Sequence, residues 1–255
     1  IFVNSNIPQW RTSRKTITGV FSFAVLKRYV RIFHTEGLVL VSKWQQRAES
    51  SASFNPEEDI NLATFDMVMV NTLGLNPKAQ QNPEDQAFMH NVDKLFEDIA
   101  KLDYLEMVIK ESLRMFPAAP VLSRSVDEDY DLGDGKILPA GTQVFVSIYS
   151  LHRNPAYYPH PHSFDPSRWT PEAAAQRPAN CFIPFSTGPR NCIGAKYAML
   201  AMKTFLADLL RCFRILPADE CASMDDIGFD IQMTLKMNAN CKIRLKKRYT
   251  GEICT

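Results

Sequence analysis

The chain has 255 residues, 45% of them hydrophobic and 22% charged, which is the make-up of a folded globular protein and excludes a disordered tail. Lys and Arg number 29 against 28 Asp and Glu, so the net charge of +1 gives no global reason to expect nucleic acid or an acidic partner. Six cysteines stand at 181, 192, 212, 221, 241 and 254 with no CxxC pair. That pattern excludes zinc-ribbon and thioredoxin-type sites and speaks against a disulfide scaffold.

In chain order, the first hundred residues read as helices. Trp10-Arg-Thr-Ser-Arg14 puts an indole N–H and a guanidinium at i, i+4 on one helix face. Phe21 to Gln46 carries Phe23, Leu26, Val30, Phe33, Leu38 and Val41 close to helical spacing, with Lys27, Arg28 and Arg31 interleaved. The apolar run nearest to a membrane span, Val20 to Leu26, is short and meets Lys27 and Arg28 at once. No signal peptide is expected at Ile1. Asn61 to Leu73 reads as a second apolar helix, with Gly74 as its stop. After a polar stretch, Phe88, Val92, Leu95, Phe96, Ile99, Leu102, Leu105, Ile109, Leu113 and Phe116 keep three-and-four spacing. The spacing predicts one continuous helix, ended by Pro117.

Pro, Gly and Asp rise beyond Pro117. Lys136-Ile137-Leu138 and Gln143-Val144-Phe145-Val146 read as short strands around a Pro-Ala-Gly turn. Residues 154–184, with seven prolines, are expected to be mostly loop. A helix follows over 194–212, and strand-like segments over 229–233 and 241–247 end the sequence. The organisation expected is a helical segment over 1–100 and a mixed segment over 101–255, together one domain.

Four groups of residues carry chemistry. In Phe185-Ser-Thr-Gly188-Pro-Arg190-Asn-Cys192-Ile-Gly194 a cysteine sits in a glycine-flanked loop just before a helix. A thiolate there gains from the helix N-terminus and from amide donors. Gly188 and Gly194 would let the backbone approach something large and flat, and Arg190 is a cation two residues from the sulfur. Glu111-Ser-Leu-Arg114 places a carboxylate and a guanidinium at i, i+3. Phe164-Asp-Pro-Ser-Arg168-Trp169 and the Trp10/Arg14 pair are each weak alone.

Together the four resemble the cytochrome P450 family of haem–thiolate monooxygenases. Phe185 to Gly194 is similar to that family's cysteine loop, Glu111 and Arg114 to the ExxR of its helix K, and Arg168 to the third member of its Glu-Arg-Arg cluster. Leu151-His152-Arg153-Asn154-Pro155 resembles a segment between them. Tyr104 to Arg114, with His152 to Pro155, resembles the animal family 4 branch, which includes fatty-acid omega-hydroxylases. The resemblance implies a mainly α fold with small β-sheets, retaining the family's helices C, D, E, K and L, the meander, the cysteine loop and the C-terminal strands.

It also implies haem b, with iron axially ligated by Cys192. Trp10, Arg14, Arg124 and Arg190 would hold the propionates, Phe185, Gly188 and Gly194 would complete the pocket, and Glu111, Arg114 and Arg168 would lock the meander as a structural cluster. No catalytic residue is assigned. NADPH-cytochrome P450 reductase or cytochrome b5 would supply electrons through a basic surface of Arg11, Lys15, Lys27, Arg28 and Lys196. The substrate would be an apolar small molecule, and the location the endoplasmic reticulum membrane.

The family's helix I motif, Ala/Gly-Gly-x-Asp/Glu-Thr, is not found, and Thr35-Glu36-Gly37 does not fit it. The helix E-like segment runs almost directly into the helix K-like one near Ala100-Lys101. The chain is therefore expected to lack the N-terminal anchor and the helix F to J segment. Three functions stay open: a monooxygenase, a catalytically inactive haem-binding chain, and a haem-free helical interaction module. His160-Pro-His162 has no third ligand at a sensible spacing, so no metal other than haem iron is expected. The basic tail Lys242 to Arg248 alternates with Ile243 and Leu245, which suits a half-buried strand rather than a nucleic-acid site.

Overall fold

A computed structural model describes residues 6–50, 52–73, 98–99, 101–231, 234–238 and 241–248. The helices are α1 (Ile7–Thr18), α2 (Phe23–Ser50), α3 (Glu57–Leu73), α4 (Asp103–Met115), α5 (Ile148–Leu151), α6 (Pro171–Ala175) and α7 (Ala195–Cys212). The strands are β1 (Val121–Ser125), β2 (Tyr130–Asp131), β3 (Ile137–Leu138), β4 (Gln143–Ser147), β5 (Phe213–Pro217), β6 (Phe229–Ile231), β7 (Leu235–Met237) and β8 (Ile243–Lys247). They form antiparallel pairs β1–β4, β2–β3, β5–β8 and β6–β7. The architecture is mainly helical with small sheets, as the sequence implies.

The chain divides into two units. One comprises Ile1–Asp103, Ile193–Gly228 and Asn238–Thr255, the other Tyr104–Cys192 and Phe229–Met237. In the first unit, Asn6 caps α1 by accepting from the Gln9 amide at 3.0 Å. α2 buries Leu26, Val30, Phe33, Leu40, Val41 and Trp44 along one stripe, which packs on α3, α7 and β8. α3 starts four residues before the expected Asn61, because Glu57, Glu58 and Asp59 fill its first turn and suit the positive end of the helix dipole. Asp59 is buried. It accepts from the Trp44 indole at 2.9 Å and pairs with Lys43 and Arg47.

β8 is the half-buried strand expected, paired with β5 in the register Ile215↔Leu245. Three cations on or beside it pair within the chain: Arg244 with Asp219, Lys242 with Glu220 and Lys247 with Glu49.

One sequence expectation changes in the structure, and one is completed by it. The apolar spacing through Ala100-Lys101 does not make one helix. Lys101 and Leu102 are not helical: Leu102 N–H donates to the Ile99 carbonyl at 3.2 Å and Asp103 N–H to the Lys101 carbonyl at 2.9 Å, and α4 begins afresh at Asp103. Spacing specifies which side chains share a face, not whether every i→i−4 bond forms. Residues 88–96 of that expected helix lie outside the described residues. The strands flanking Pro139-Ala140-Gly141 are present but do not pair with each other. β3 pairs with β2, whereas β4 pairs with β1, a strand absent from the sequence reading. Gly141, at φ +82, makes the corner between them.

In the second unit, α4 runs into β1 through Pro117. β1–β4 is in the register Ser123↔Phe145. The following segment to Pro184 is mostly irregular, with a small core of Tyr158, Trp169 and Cys181. Among the described residues, no helix is long and apolar enough to cross a membrane.

Candidate functional site

The second unit is organised around a buried charge. Glu111 and Arg114, one turn apart on α4, are both 0% exposed. Arg114 grips the carboxylate with two parallel bonds, Nε to Oε2 at 2.9 Å and Nη2 to Oε1 at 2.8 Å. Its remaining donors reach three backbone carbonyls: Nη1 those of His152 at 2.9 Å and Pro161 at 2.8 Å, and Nη2 that of Ser163 at 3.2 Å. All five N–H groups of the guanidinium are thereby satisfied.

Glu111 is saturated as well. Besides Arg114, it accepts from the Asp165 amide at 2.9 Å and the Trp169 indole at 3.0 Å. Arg168 brings its Nε to 3.4 Å from the same carboxylate and donates Nη2 to the His160 carbonyl at 3.0 Å. The three residues singled out in the sequence therefore converge. They tie α4 to the irregular chain from His160 to Trp169. His160, Pro161 and Ser163 contribute through backbone carbonyls.

Local chemistry shapes that chain. Asp165 caps the 3-10 turn Pro166–Trp169. Hydrogen bonds from the Ser167 hydroxyl and amide hold its carboxyl below the usual range. The Arg177 guanidinium lies 4.6 Å from the Trp169 ring centroid.

His152 links this cluster to the cysteine loop. It is fully buried, its carbonyl accepts from Arg114, and its Nε2 accepts from the Ile183 amide at 2.9 Å. Burial pushes the imidazole down to about 4, against the opposing pull of the Arg114 and Leu113 backbone. Next in sequence, Arg153 donates to the Met115 carbonyl at the C-terminus of α4 and stacks on Tyr149 at 3.6 Å. His152 was quoted in the sequence only as part of a segment. Nothing in its neighbours marks it as buried, because its partners lie 31 and 38 residues away along the chain.

Three backbone bonds then shape the loop itself: Ser186 N–H to the Ile183 carbonyl at 2.9 Å, Asn191 N–H to Gly188 at 3.1 Å and Cys192 N–H to Phe185 at 2.8 Å. Gly188 sits at φ +74 and Ser186 at φ +61. Gly188 is required by that left-handed backbone, and nothing lies within 4 Å of where its Cβ would project. Cys192 is a free, exposed thiol, in contrast to the buried Cys181 and Cys221. Arg124 on β1 is exposed. Its Nη2 donates to the Ser186 hydroxyl at 2.9 Å and its Nη1 to the Ser123 carbonyl at 2.8 Å. Arg190 is half-buried in the same loop. Arg124, Phe185, Gly188, Arg190 and Cys192 thus belong to the second unit.

Three sequence-derived candidates lie in the first unit. Gly194 is the N-terminal cap residue of α7. Trp10 is buried on α1, with the Arg14 guanidinium 5.8 Å from its ring centroid. That neighbourhood is what the i, i+4 spacing predicts. Of the five basic surface candidates in this unit, Arg11, Lys15, Arg28 and Lys196 are exposed, and Lys27 is half-buried with its ammonium 5.5 Å from the Phe23 ring.

The donor set suits haem: one exposed soft thiol in a loop with open space at Gly188, and guanidinium groups able to pair with carboxylates. Comparison with known proteins agrees. The family model for cytochrome P450 matches residues 1–101 and 95–238, two stretches that meet where the sequence places the seam. Cytochrome P450 4V2 of Homo sapiens is 39% identical over 189 residues, covering 71% of this chain and 34% of the relative. The probable cytochrome P450 4ac1 of Drosophila melanogaster is 43% identical over 148 residues, covering 58% of this chain and 28% of the relative. The chain thus spans about a third of the length of the curated relatives it matches. A crystal structure of a cytochrome P450 (CYP102L1) shares the fold, with a TM-score of 0.80 at 16% identity over 96% of this chain and 83% of that one. From the cysteine loop, the buried Glu-Arg-Arg cluster and these matches, the chain belongs to the cytochrome P450 family and is like its family 4 branch.

Proposed function

We propose that the protein is a haem–thiolate monooxygenase component in which Cys192 would ligate the iron of haem b. The observation that carries this reading is the exposed free thiol of Cys192, in a loop held by Phe185, Gly188 and Arg124. When bound, haem would supply a thiolate-ligated iron for oxygen activation, with Cys192 as the residue that would hold it.

The chain's own residues do the rest. The Cys192 amide closes the loop on the Phe185 carbonyl, which holds the thiol at the loop's exposed end. Arg124 and Arg190 offer N–H donors for the propionates, whose burial requires such partners; for Trp10 and Arg14 that role rests on the family resemblance alone. Gly194 starts α7 directly after the loop, so the ligand stands at a helix N-terminus, where an anion is favoured. Glu111, Arg114 and Arg168 act on the ligand only by bracing the chain that leads to it.

Electrons come from NADPH through a flavoprotein reductase, or from cytochrome b5, docking on the basic residues Arg11, Lys15, Lys27, Arg28 and Lys196. One oxygen atom enters an apolar, fatty-acid-like substrate. The location is the endoplasmic reticulum membrane, by likeness to the family 4 branch.

A second reading is favoured by one observation, the internal seam at 95–101 together with the missing helix I motif. On that reading the chain binds haem without turning over. Expression with haem supply, reduction and carbon monoxide tests the ligand. A red-shifted Soret band is expected in the parent chain and its loss in Cys192→Ala. A folded but colourless protein overturns both readings. Turnover with NADPH and reductase then separates them.

A further inference from the structure

Away from the cysteine loop, two other thiols meet. Cys221 and Cys241, twenty positions apart in sequence, bring their sulfurs to 3.9 Å, with the Cys221 thiol directed at Cys241. Both are free. Cys221 is buried, and Cys241 is half-buried.

The approach is built into the fold. It lies past the antiparallel pair β5 and β8, whose last paired residues are Pro217 and Ile243. The Arg244 guanidinium pairs with Asp219 at 3.1 Å and the Lys242 ammonium with Glu220 at 3.2 Å. Past Pro217 the chain turns, with Ala218 bridging Cys221, and this turn rather than the strand register sets Cys221 beside Cys241. On the Cys221 side, its amide donates to the Ala218 carbonyl at 3.1 Å. On the other side, the Cys241 amide donates to Asn238 at 3.3 Å, and the Asn238 amide donates to Gly228 at 3.0 Å. A Cβ on Gly228 would collide with the Asn238 side chain, so the two chain stretches run close together there too. The sulfurs therefore stand at the base of the excursion that carries β6 and β7. Those strands belong to the second unit, whereas both cysteines belong to the first.

We propose that Cys221 and Cys241 are a peroxide-responsive dithiol that closes to a disulfide and staples the base of the β6–β7 excursion. One sulfur attacks a peroxide oxygen, the O–O bond breaks, and water leaves with a sulfenic acid formed on that sulfur. The second thiol attacks the sulfenic sulfur, the S–S bond forms, the S–O bond breaks, and a second water leaves. Two electrons pass from the sulfurs to the peroxide, and a small thiol such as glutathione reverses the step by being oxidised to its own disulfide. The sulfurs close from 3.9 Å to the bonded distance of about 2 Å. Burial and the neighbouring thiol push Cys241 up to about 11, so at neutral pH it is held as the thiol and closure waits on an added oxidant. The link constrains residues 222–240 without touching Cys192.

Trypsin provides a direct readout. Lys236 is the only Lys or Arg between the two cysteines, so cleavage puts Cys221 in peptide 215–236 and Cys241 in peptide 237–242. The full chain is reduced, freed of reductant, treated with hydrogen peroxide, alkylated and digested, and the peptides are weighed. The expected product is 215–236 joined to 237–242, two hydrogens lighter than their sum and separated by reduction. Equilibrated with reduced and oxidised glutathione, the pair should show an effective concentration at least about tenfold higher in the folded chain than in urea, where flexible-loop encounter sets it. Recovery of both peptides singly alkylated overturns the proposal. So does linkage of either to peptides carrying Cys181 or Cys192, or an equal effective concentration in urea. The readout does not depend on bound haem, so a colourless preparation leaves this test intact.

Discussion

Arg114 shows how much one side chain can hold. Its five donors find five acceptors, two on Glu111 and three on backbone carbonyls of the His152–Ser163 chain. Both partners are fully buried, so removing one charge strands the other in a low-dielectric interior. Glu111→Gln, which keeps the shape, is expected to lose on the order of 3–5 kcal/mol, read as a fall in the urea midpoint. His152 adds a pH dependence. Its imidazole titrates at about 4 in the fold against an ordinary 6.5, so the unfolded chain takes up the proton first. The contribution is whole above the unfolded value and is lost as pH falls from about 6.5 to about 4, amounting to roughly 3 kcal/mol. In His152→Gln the slope of stability against pH is expected to flatten in that window and stay unchanged above it.

Among elements, the α2–α7 contact in the first unit leaves little clearance. Gly37 faces Asp208 so closely that a Cβ would lie 2.8 Å from its Oδ2. That carboxylate pairs with His34 Nδ1, each oxygen at 2.9 Å. In sequence, Thr35-Glu36-Gly37 is notable only as a failed match to a helix I motif. In the structure its glycine is the clearance between two helices. Gly37→Ala is expected to push α7 and the His34–Asp208 pair aside at a cost of about 1–3 kcal/mol, measurable as a lowered melting temperature. The Lys101–Leu102 break shows the opposite limit. Apolar spacing continues across it, yet the chain re-forms its bonds at i→i−3 and starts α4 anew. Likewise the strands at Ile137 and Gln143 are legible as strands, but their partners are not, because pairing is set by the β1–β4 register.

For the whole molecule, the near-zero balance of charge conceals local asymmetry. The acidic residues Asp219, Glu220 and Glu49 are spent on the cations of the β8 region. Arg11, Lys15, Arg28 and Lys196 remain exposed in the same unit. If they receive an acidic electron donor, the double reversal Lys15→Glu and Lys196→Glu should lower reductase affinity and flatten its dependence on salt. Unchanged binding and an unchanged salt slope would remove that surface from the mechanism.

The amino-acid sequence alone determined the family, the helical stripes of α2 and α7, the cysteine loop and the identity of the Glu111, Arg114 and Arg168 cluster. Each is carried by residue type at short, fixed spacing, which local geometry translates directly into a face or a turn. Only the tertiary structure decided that His152 is buried, that Arg114 reaches carbonyls as far as Ser163, which strands pair, and that Cys221 lies beside Cys241. Those facts depend on contacts between residues tens of positions apart, where chain topology rather than periodicity chooses the partner.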